Sequence, residues 1–343
     1  GNINPFGGDT ADAAGGLVYE FKAYGGGAQQ DVTASGANGL DGFIYGFAPT
    51  LTVASATAVT KVYDGTTALA GALPALTITS PVAGDVLTVS GTPSGLFASA
   101  NASTSASILL SGAVSAVNGS RPVFGYKLDG SSLAATITPK QLTVALQGVV
   151  SRAYDGTTLV SLSADNFNVT GLVANEGLTL NSATGNFASK DVGTGLNVTT
   201  EISQVSFQPN SGTLLSNYII PTSASGTIGE ITPKALTVAL TGTASKAYDG
   251  QPNVLLASSN YLLSGVGSGD SLTVNQSQGT LASKDAGTNI AVSTTIAPAD
   301  FVAGSGTLLS NYVLPSTQLS GNIGTVNPKM LTVSLIGTTS RVY

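Results

Sequence analysis

Three side chains able to bind or react together recur in this chain at one spacing. A basic residue is followed two positions later by a tyrosine and then at once by an aspartate. The sets are Lys61, Tyr63, Asp64; Arg152, Tyr154, Asp155; and Lys246, Tyr248, Asp249. A glycine completes each box: Gly65, Gly156 and Gly250. A cation, a phenol and a carboxylate this close could hold a sugar by charge-assisted hydrogen bonds and ring contact. They could equally be structural, with tyrosine packing at a domain edge, Asp-Gly making a turn and the cation paired with a local carboxylate. Recurrence in every unit favours the structural reading, because a binding site more often sits in one unit or varies between units. Asp-Gly is preferred where both central residues of a tight hairpin turn need positive φ, so each box is expected to close a hairpin or tight loop.

Two further pairs, Lys190-Asp191 and Lys284-Asp285, raise other chemistry. A calcium ion would need six to eight oxygen ligands, and the acids are too sparse to supply them. A Lys–Asn or Lys–Asp amide cross-link would need an apolar pocket and a neighbouring acid. Serine and threonine abound, yet no Gly-x-Ser-x-Gly elbow sits between a strand and a helix. The chain has no Cys and no His, which removes thiol nucleophiles, disulfides and the commonest general base and metal ligand. No catalytic, cofactor-binding or metal-binding residues are therefore expected, and the chain is not read as an enzyme. With 12 basic and 18 acidic residues the formal charge is −6, which excludes a nucleic-acid partner. No apolar run approaches the roughly 18 residues of a membrane helix, so no membrane span is expected.

The elements that must carry these boxes are strands. Leu-Thr-Val begins at Leu51, Leu142, Leu236 and Leu331, and each time a tyrosine follows twelve positions on: Tyr63, Tyr154, Tyr248, Tyr343. The spacings are 91, 94 and 95 residues. Leu236, Val238 and Leu240 alternate with Thr237 and Ala239, the pattern of a half-buried strand. Ala188-Ser189-Lys190-Asp191 matches Ala282-Ser283-Lys284-Asp285, and Ser211 through Tyr218 matches Ser305 through Tyr312 at every position. Tyr218 and Tyr312, each after an asparagine, have the setting of a tyrosine corner, where the hydroxyl bonds nearby backbone. Pro-Lys closes each unit at Pro139, Pro233 and Pro328, leaving no flexible tether. With 42% hydrophobic and only 9% charged residues, the chain is too apolar to be a disordered linker.

The expected fold is all-β, a tandem array of Ig-like or Greek-key β-sandwich domains. A β-grasp-like unit with one short helix near Asn166 or Asn260 is the alternative. Residues 49–139 form a degenerate first repeat, 140–233 the second, 234–328 the third, and 329–343 begin a fourth. Residues 1–48 read as the C-terminal end of an upstream β-rich domain, with an aromatic cluster that includes Tyr19, Phe21, Tyr24, Phe43, Tyr45 and Phe47. Tyr19, Tyr24 and Tyr45 are the candidates for carbohydrate contact; the other reading is that the cluster caps a core. The chain reads as a piece of a longer protein.

The Lys/Arg-x-Tyr-Asp-Gly box, with Ala-Ser-Lys-Asp-x-Gly-Thr, Ser-Asn-Tyr and Thr-Pro-Lys-x-Leu-Thr-Val, resembles the YDG-type repeat domain across about residues 50–343. Such repeats occur in large bacterial surface and secreted adhesins, many similar to filamentous haemagglutinins exported by two-partner secretion. The resemblance implies an extracellular stalk on the bacterial cell surface, exported across the outer membrane and projecting a distal binding domain. It supplies no catalytic residues. The expected partners are neighbouring repeats of the same chain, with self-association into fibres or weak multivalent binding to surface polysaccharide as further possibilities.

Overall fold

The computed structural model describes residues 20–24, 42–45, 49–80, 82, 84–129, 131–337 and 340–341. Tyr19, Phe47 and Tyr343 lie outside them. Among the described residues the only helical pieces are single 3-10 turns, and the fold is all-β. Two of these turns, Ala164–Asn166 and Ser258–Asn260, stand where a short helix had been the alternative.

The third repeat shows the architecture. Its main sheet has five strands in the order Ala244–Ala247, Thr317–Asn327, Gly287–Ile296, Gln278–Leu281, Asn253–Leu255. The first pair is parallel, Ala244 opposite Gly324, and the other three are antiparallel. Three short ribbons complete the repeat: Thr237–Leu240 with Tyr261–Ser264, Leu272–Val274 with Phe301–Ala303, and Lys234–Ala235 with Tyr312–Val313. Val292 and Ile296 are wholly buried on the inner face. Gly324 allows close strand approach there, since a Cβ would lie 2.8 Å from the Ile290 carbonyl oxygen. The result is a β-sandwich-like unit.

The second repeat builds the same five-stranded sheet: Val150–Ala153, Ser223–Thr232, Gly193–Glu201, Ser182–Phe187, Leu159–Ser163. In the first repeat the sheet has seven strands. Phe21–Tyr24 joins Arg121–Phe124 in parallel, and Gly42–Tyr45 pairs in parallel with Phe21–Tyr24. The described parts of residues 1–48 therefore extend the first repeat's sheet.

By compactness the chain forms two units. One comprises residues 1–143, 169–179 and 207–221; the other comprises 144–168, 180–206 and 222–343. Residues 329–337 form no strand, and Leu331, Val333 and Leu335 are exposed. In the third repeat the matching segment Thr237–Leu240 gains its partner from a strand about 25 residues further on, and this sequence has no residues at that place.

Candidate functional site

In the second and third repeats the box sits in the loop joining the two outer strands of the five-stranded sheet, as residues 248–252 join Ala244–Ala247 to Asn253–Leu255; in the first it follows Val59–Val62, the edge strand of the seven-stranded sheet. It is not a tight hairpin turn. Asp64, Asp155 and Asp249 all lack positive φ; only the glycines adopt it, at +77°, +86° and +80°. The aspartate shapes the loop through its side chain instead. Asp64 Oδ1 accepts from the Thr66 amide at 2.9 Å, Asp155 Oδ1 from the Thr157 amide at 2.8 Å, and Asp249 Oδ1 from the Gln251 amide at 2.9 Å. This is the Asx turn that Asp makes readily.

The basic residue pins the same carboxylate and ties down nearby carbonyls. Lys61 Nζ is 2.7 Å from Asp64 and donates to the carbonyls of Thr66 and Ala68. Lys246 does the same with Asp249, Gln251 and Asn253, and Arg152 with Asp155 and Thr157. Burial works against ionisation of Asp64 and Asp155, but the bonds from the cation and the turn win and hold both below the usual carboxylate range. The cation and carboxylate of each box are thereby consumed within it.

The tyrosine behaves differently, for it reaches the next repeat. Tyr154 donates to Asp270 Oδ2 at 2.8 Å, and Tyr312 donates to the same oxygen at 2.6 Å. The two rings meet edge to face, with centroids 5.3 Å apart and an interplanar angle of 80°. Lys190 Nζ donates to Asp270 Oδ1 at 3.0 Å and to the Tyr154 hydroxyl at 3.0 Å. The Gly267 amide donates to the Tyr312 hydroxyl at 2.8 Å. Beside this cluster Asn311 accepts from the Val192 amide at 2.9 Å and donates to Asp191 Oδ1 at 2.9 Å. Residues 154 and 190–192 belong to the second repeat, and 267–270 and 311–312 to the third. The cluster is the joint between them.

The electrostatics follow from this geometry. Burial, and then donation to Asp270, pushes the Tyr312 phenol up to about 12. Burial opposes ionisation of Asp270, but bonds from Tyr312, Tyr154 and Lys190 outweigh it and hold the carboxyl below its usual range. The Tyr154 hydroxyl and the Asp270 carboxylate hold Lys190 well above the ordinary lysine value.

The first and second repeats meet through the same parts. Tyr63 and Tyr218 both donate to Glu176, one to each carboxylate oxygen, and their rings meet at 5.5 Å and 83°. The Val173 amide donates to the Tyr218 hydroxyl at 3.0 Å. Asn217 accepts from the Ala102 amide at 2.8 Å and donates to Asn101 Oδ1 at 3.1 Å. Burial first, with Glu176 second, pushes Tyr63 and Tyr218 up to about 12. The degenerate first repeat thus keeps the asparagine clamp although Ala100-Asn101 replaces Lys-Asp. Tyr218 and Tyr312 depart from a simple tyrosine corner: the backbone amide they accept from lies 45 positions upstream, and their own proton goes to the joint's acid.

A third joint lies where the aromatic cluster had been noted. Tyr24 and Tyr126 donate to Asp85 Oδ2 at 2.9 and 2.8 Å, with rings 5.1 Å apart and 62° between planes. Lys22-Ala23-Tyr24 has the basic-x-Tyr spacing of the box without its Asp-Gly. Lys22 lies 3.6 Å from Asp85 Oδ1, both side chains buried. Phe21–Tyr24 runs parallel to Gly42–Tyr45 as Val150–Ala153 runs parallel to Ser223–Thr232. Tyr24 is 1% exposed and Tyr45, stacked on it at 5.1 Å, is 3% exposed. The expectation of carbohydrate contact at Tyr24 and Tyr45 is corrected accordingly, because neither ring face is open; Tyr19 lies outside the described residues.

Sequence reasoning missed the acids Asp85, Glu176 and Asp270. They hold matching positions, 91 and 94 residues apart, just as the tyrosines do. Among the described residues no three acidic side chains converge on a point that could hold a metal ion, and no helix is long and apolar enough to cross a membrane.

Comparison with known proteins gives the same unit. No curated protein matches the chain. Among solved structures, three N-terminal domains of the bacteriophage RB49 Highly Immunogenic Outer Capsid protein align with 82% of this chain and 99% of that one. Identity is 13% and the TM-score 0.18, too low to carry an argument. The family model of the YDG domain matches residues 48–121, 138–226 and 232–319. The chain belongs to the YDG domain family, and carries three copies of that domain.

Proposed function

We propose that this chain is a structural spacer segment of a large extracellular bacterial adhesin or matrix fibre, holding a binding domain away from the cell surface. The observation that supports this is the joint. The same phenol–acid–phenol contact is built three times, and it spends the tyrosines of the first two boxes on attachment to a neighbour. Buried polar groups that are fully partnered favour one arrangement over its alternatives, which is what a spacer requires. Export by two-partner secretion and placement at the bacterial surface belong to the same proposal and rest on the likeness of the boxes to those of adhesin repeats.

A multivalent polysaccharide-binding array is the rival reading. It would need exposed tyrosines, and Tyr63 and Tyr154 are buried. The test is small-angle scattering on the 343-residue chain at several concentrations, with a glycan-binding assay beside it. A spacer gives a radius of gyration well above the roughly 20 Å of a compact globule of this length and no glycan binding. A compact value, or glycan binding that strengthens with repeat number, overturns the proposal.

A further inference from the structure

The joint between the second and third repeats has a donor side and an acceptor side. The donor side is Tyr154, Gly156, Lys190 and Asp191; the acceptor side is the Gly267–Asp270 loop with Asn311-Tyr312. The third repeat carries its own donor side, Tyr248, Gly250, Lys284 and Asp285, and that face is open. A Cβ on Gly156 would lie 2.7 Å from the Ser268 nitrogen, whereas nothing stands within 4 Å of one on Gly250. The Lys284 and Asp285 side chains are 53% and 75% exposed, against 34% for Lys190.

The open face is already shaped like the occupied one. Asp249 is pinned by Lys246 and the Gln251 amide as Asp155 is by Arg152 and the Thr157 amide. The Asp285 amide donates to Ser283 Oγ at 3.1 Å, and the Asp191 amide to Ser189 Oγ at 3.0 Å. Lys284 lies 3.4 Å from Asp285, which with Tyr248 raises its affinity for its proton. A preformed face with these groups costs little conformational entropy to dock on.

We infer that this face is a docking surface for a further YDG unit, one whose loop carries an aspartate at the position of Asp270 and an Asn-Tyr after it. The length of the acid is argued from the occupied joints. Where a lysine stands at the place of Lys190 the acid is the short one, Asp270. Where Ala100 takes the lysine's place the acid is the longer Glu176. Lys284 stands ready, so the matching acid is aspartate. The incoming carboxylate accepts hydrogen bonds from Tyr248 and the partner tyrosine and pairs with Lys284, and the partner asparagine clasps Asp285 and the Ala286 amide. The inference concerns the chemistry of attachment and stands apart from the spacer reading.

The experiment extends the chain after Lys329 with a second copy of residues 235–343 and follows amide hydrogen exchange against the present chain. Exchange at Ala286, the counterpart of Val192, is expected to slow by about tenfold or more in the extended chain. Lys284→Met is expected to reverse much of that slowing there, and to leave the present chain's stability unchanged. Replacing the added copy's aspartate by glutamate is expected to weaken protection several-fold. Amides inside the added copy report that it has folded. Unchanged exchange at Ala286 with a folded copy overturns the inference, and so does slowing that is indifferent to Lys284→Met.

Discussion

Asp270→Asn removes a charge while keeping the shape of the joint, so its cost can be worked from the contacts. Two buried phenols donate to this carboxylate, at 2.8 and 2.6 Å. A hydrogen bond to a charged group contributes about 1.5–3 kcal/mol. Both phenols point at Oδ2, so an asparagine carbonyl in its place still accepts from both, but each bond loses its charge, about 1 kcal/mol apiece. The amide in the place of Oδ1 presents a donor to Lys190, which only donates. Lys190 is a third exposed, so its ion pair adds no more than about 1 kcal/mol after solvent screening. The expected total is about 2–4 kcal/mol. With a slope of about 2 kcal/mol per molar urea, the transition covering the joint moves down by about 1–2 M. The control is Asp249→Asn in the half-exposed third box, where solvent screens the carboxylate and the midpoint is expected to move far less. Native-state hydrogen exchange at Val192 and Ser268 assigns the loss to the joint rather than to a sheet. The pH dependence supplies an independent check. The folded Asp270 holds its proton less tightly than the unfolded group, so its contribution is full above the unfolded value of about 3.9 and is lost as pH falls through the lower folded value. The gap between wild type and Asp270→Asn should therefore close in acid. A midpoint for Asp270→Asn no lower than that for Asp249→Asn, or a gap constant down to acid pH, would refute the reasoning.

The phenols make the opposite prediction in alkali. Tyr63, Tyr218 and Tyr312 are raised from 10.0 to about 12, so what they contribute is intact below about pH 10 and lost as pH rises through the folded value. A tyrosinate absorbance titration should show late-ionising groups whose ionisation coincides with loosening at the joints; ionisation of every tyrosine near 10 in a still-folded chain contradicts it. Gly156→Ala and Gly250→Ala share the backbone cost of a side chain at positive φ, about 1–2 kcal/mol. Gly156→Ala alone also drives a methyl into the Ser268 backbone, adding about 1–3 kcal/mol. Urea unfolding should rank them in that order, and equal costs would show that the next repeat does not press on the box.

The boxes were legible because each is local: a cation, a turn-forming aspartate and a glycine speak to one another within a few residues. Their turn was misjudged because Asp-Gly suggested backbone geometry, while Asp64, Asp155 and Asp249 act through side-chain oxygens. The joints were not legible for two reasons. Tyr154 and Asp270 are 116 positions apart, and the acid changes between Asp and Glu within loops of otherwise unlike residues. Lys22-Ala23-Tyr24 had the right spacing but no Asp-Gly after it, so its aromatic ring was noticed and its kinship with the boxes was not. The strand expected at Leu331 had the correct alternation, yet alternation only states a willingness to pair, and no partner strand is within the sequence.

Every joint takes its donor tyrosine from one end of a unit and its acid from the other end of the next. Two like ends have no complementary chemistry, so units can be joined in only one direction. Direction alone does not settle which unit follows which: the joint with Ala100 on its donor side carries Glu176 and the joint with Lys190 carries Asp270, so a unit gained by recombination must bring an acid that suits the unit before it.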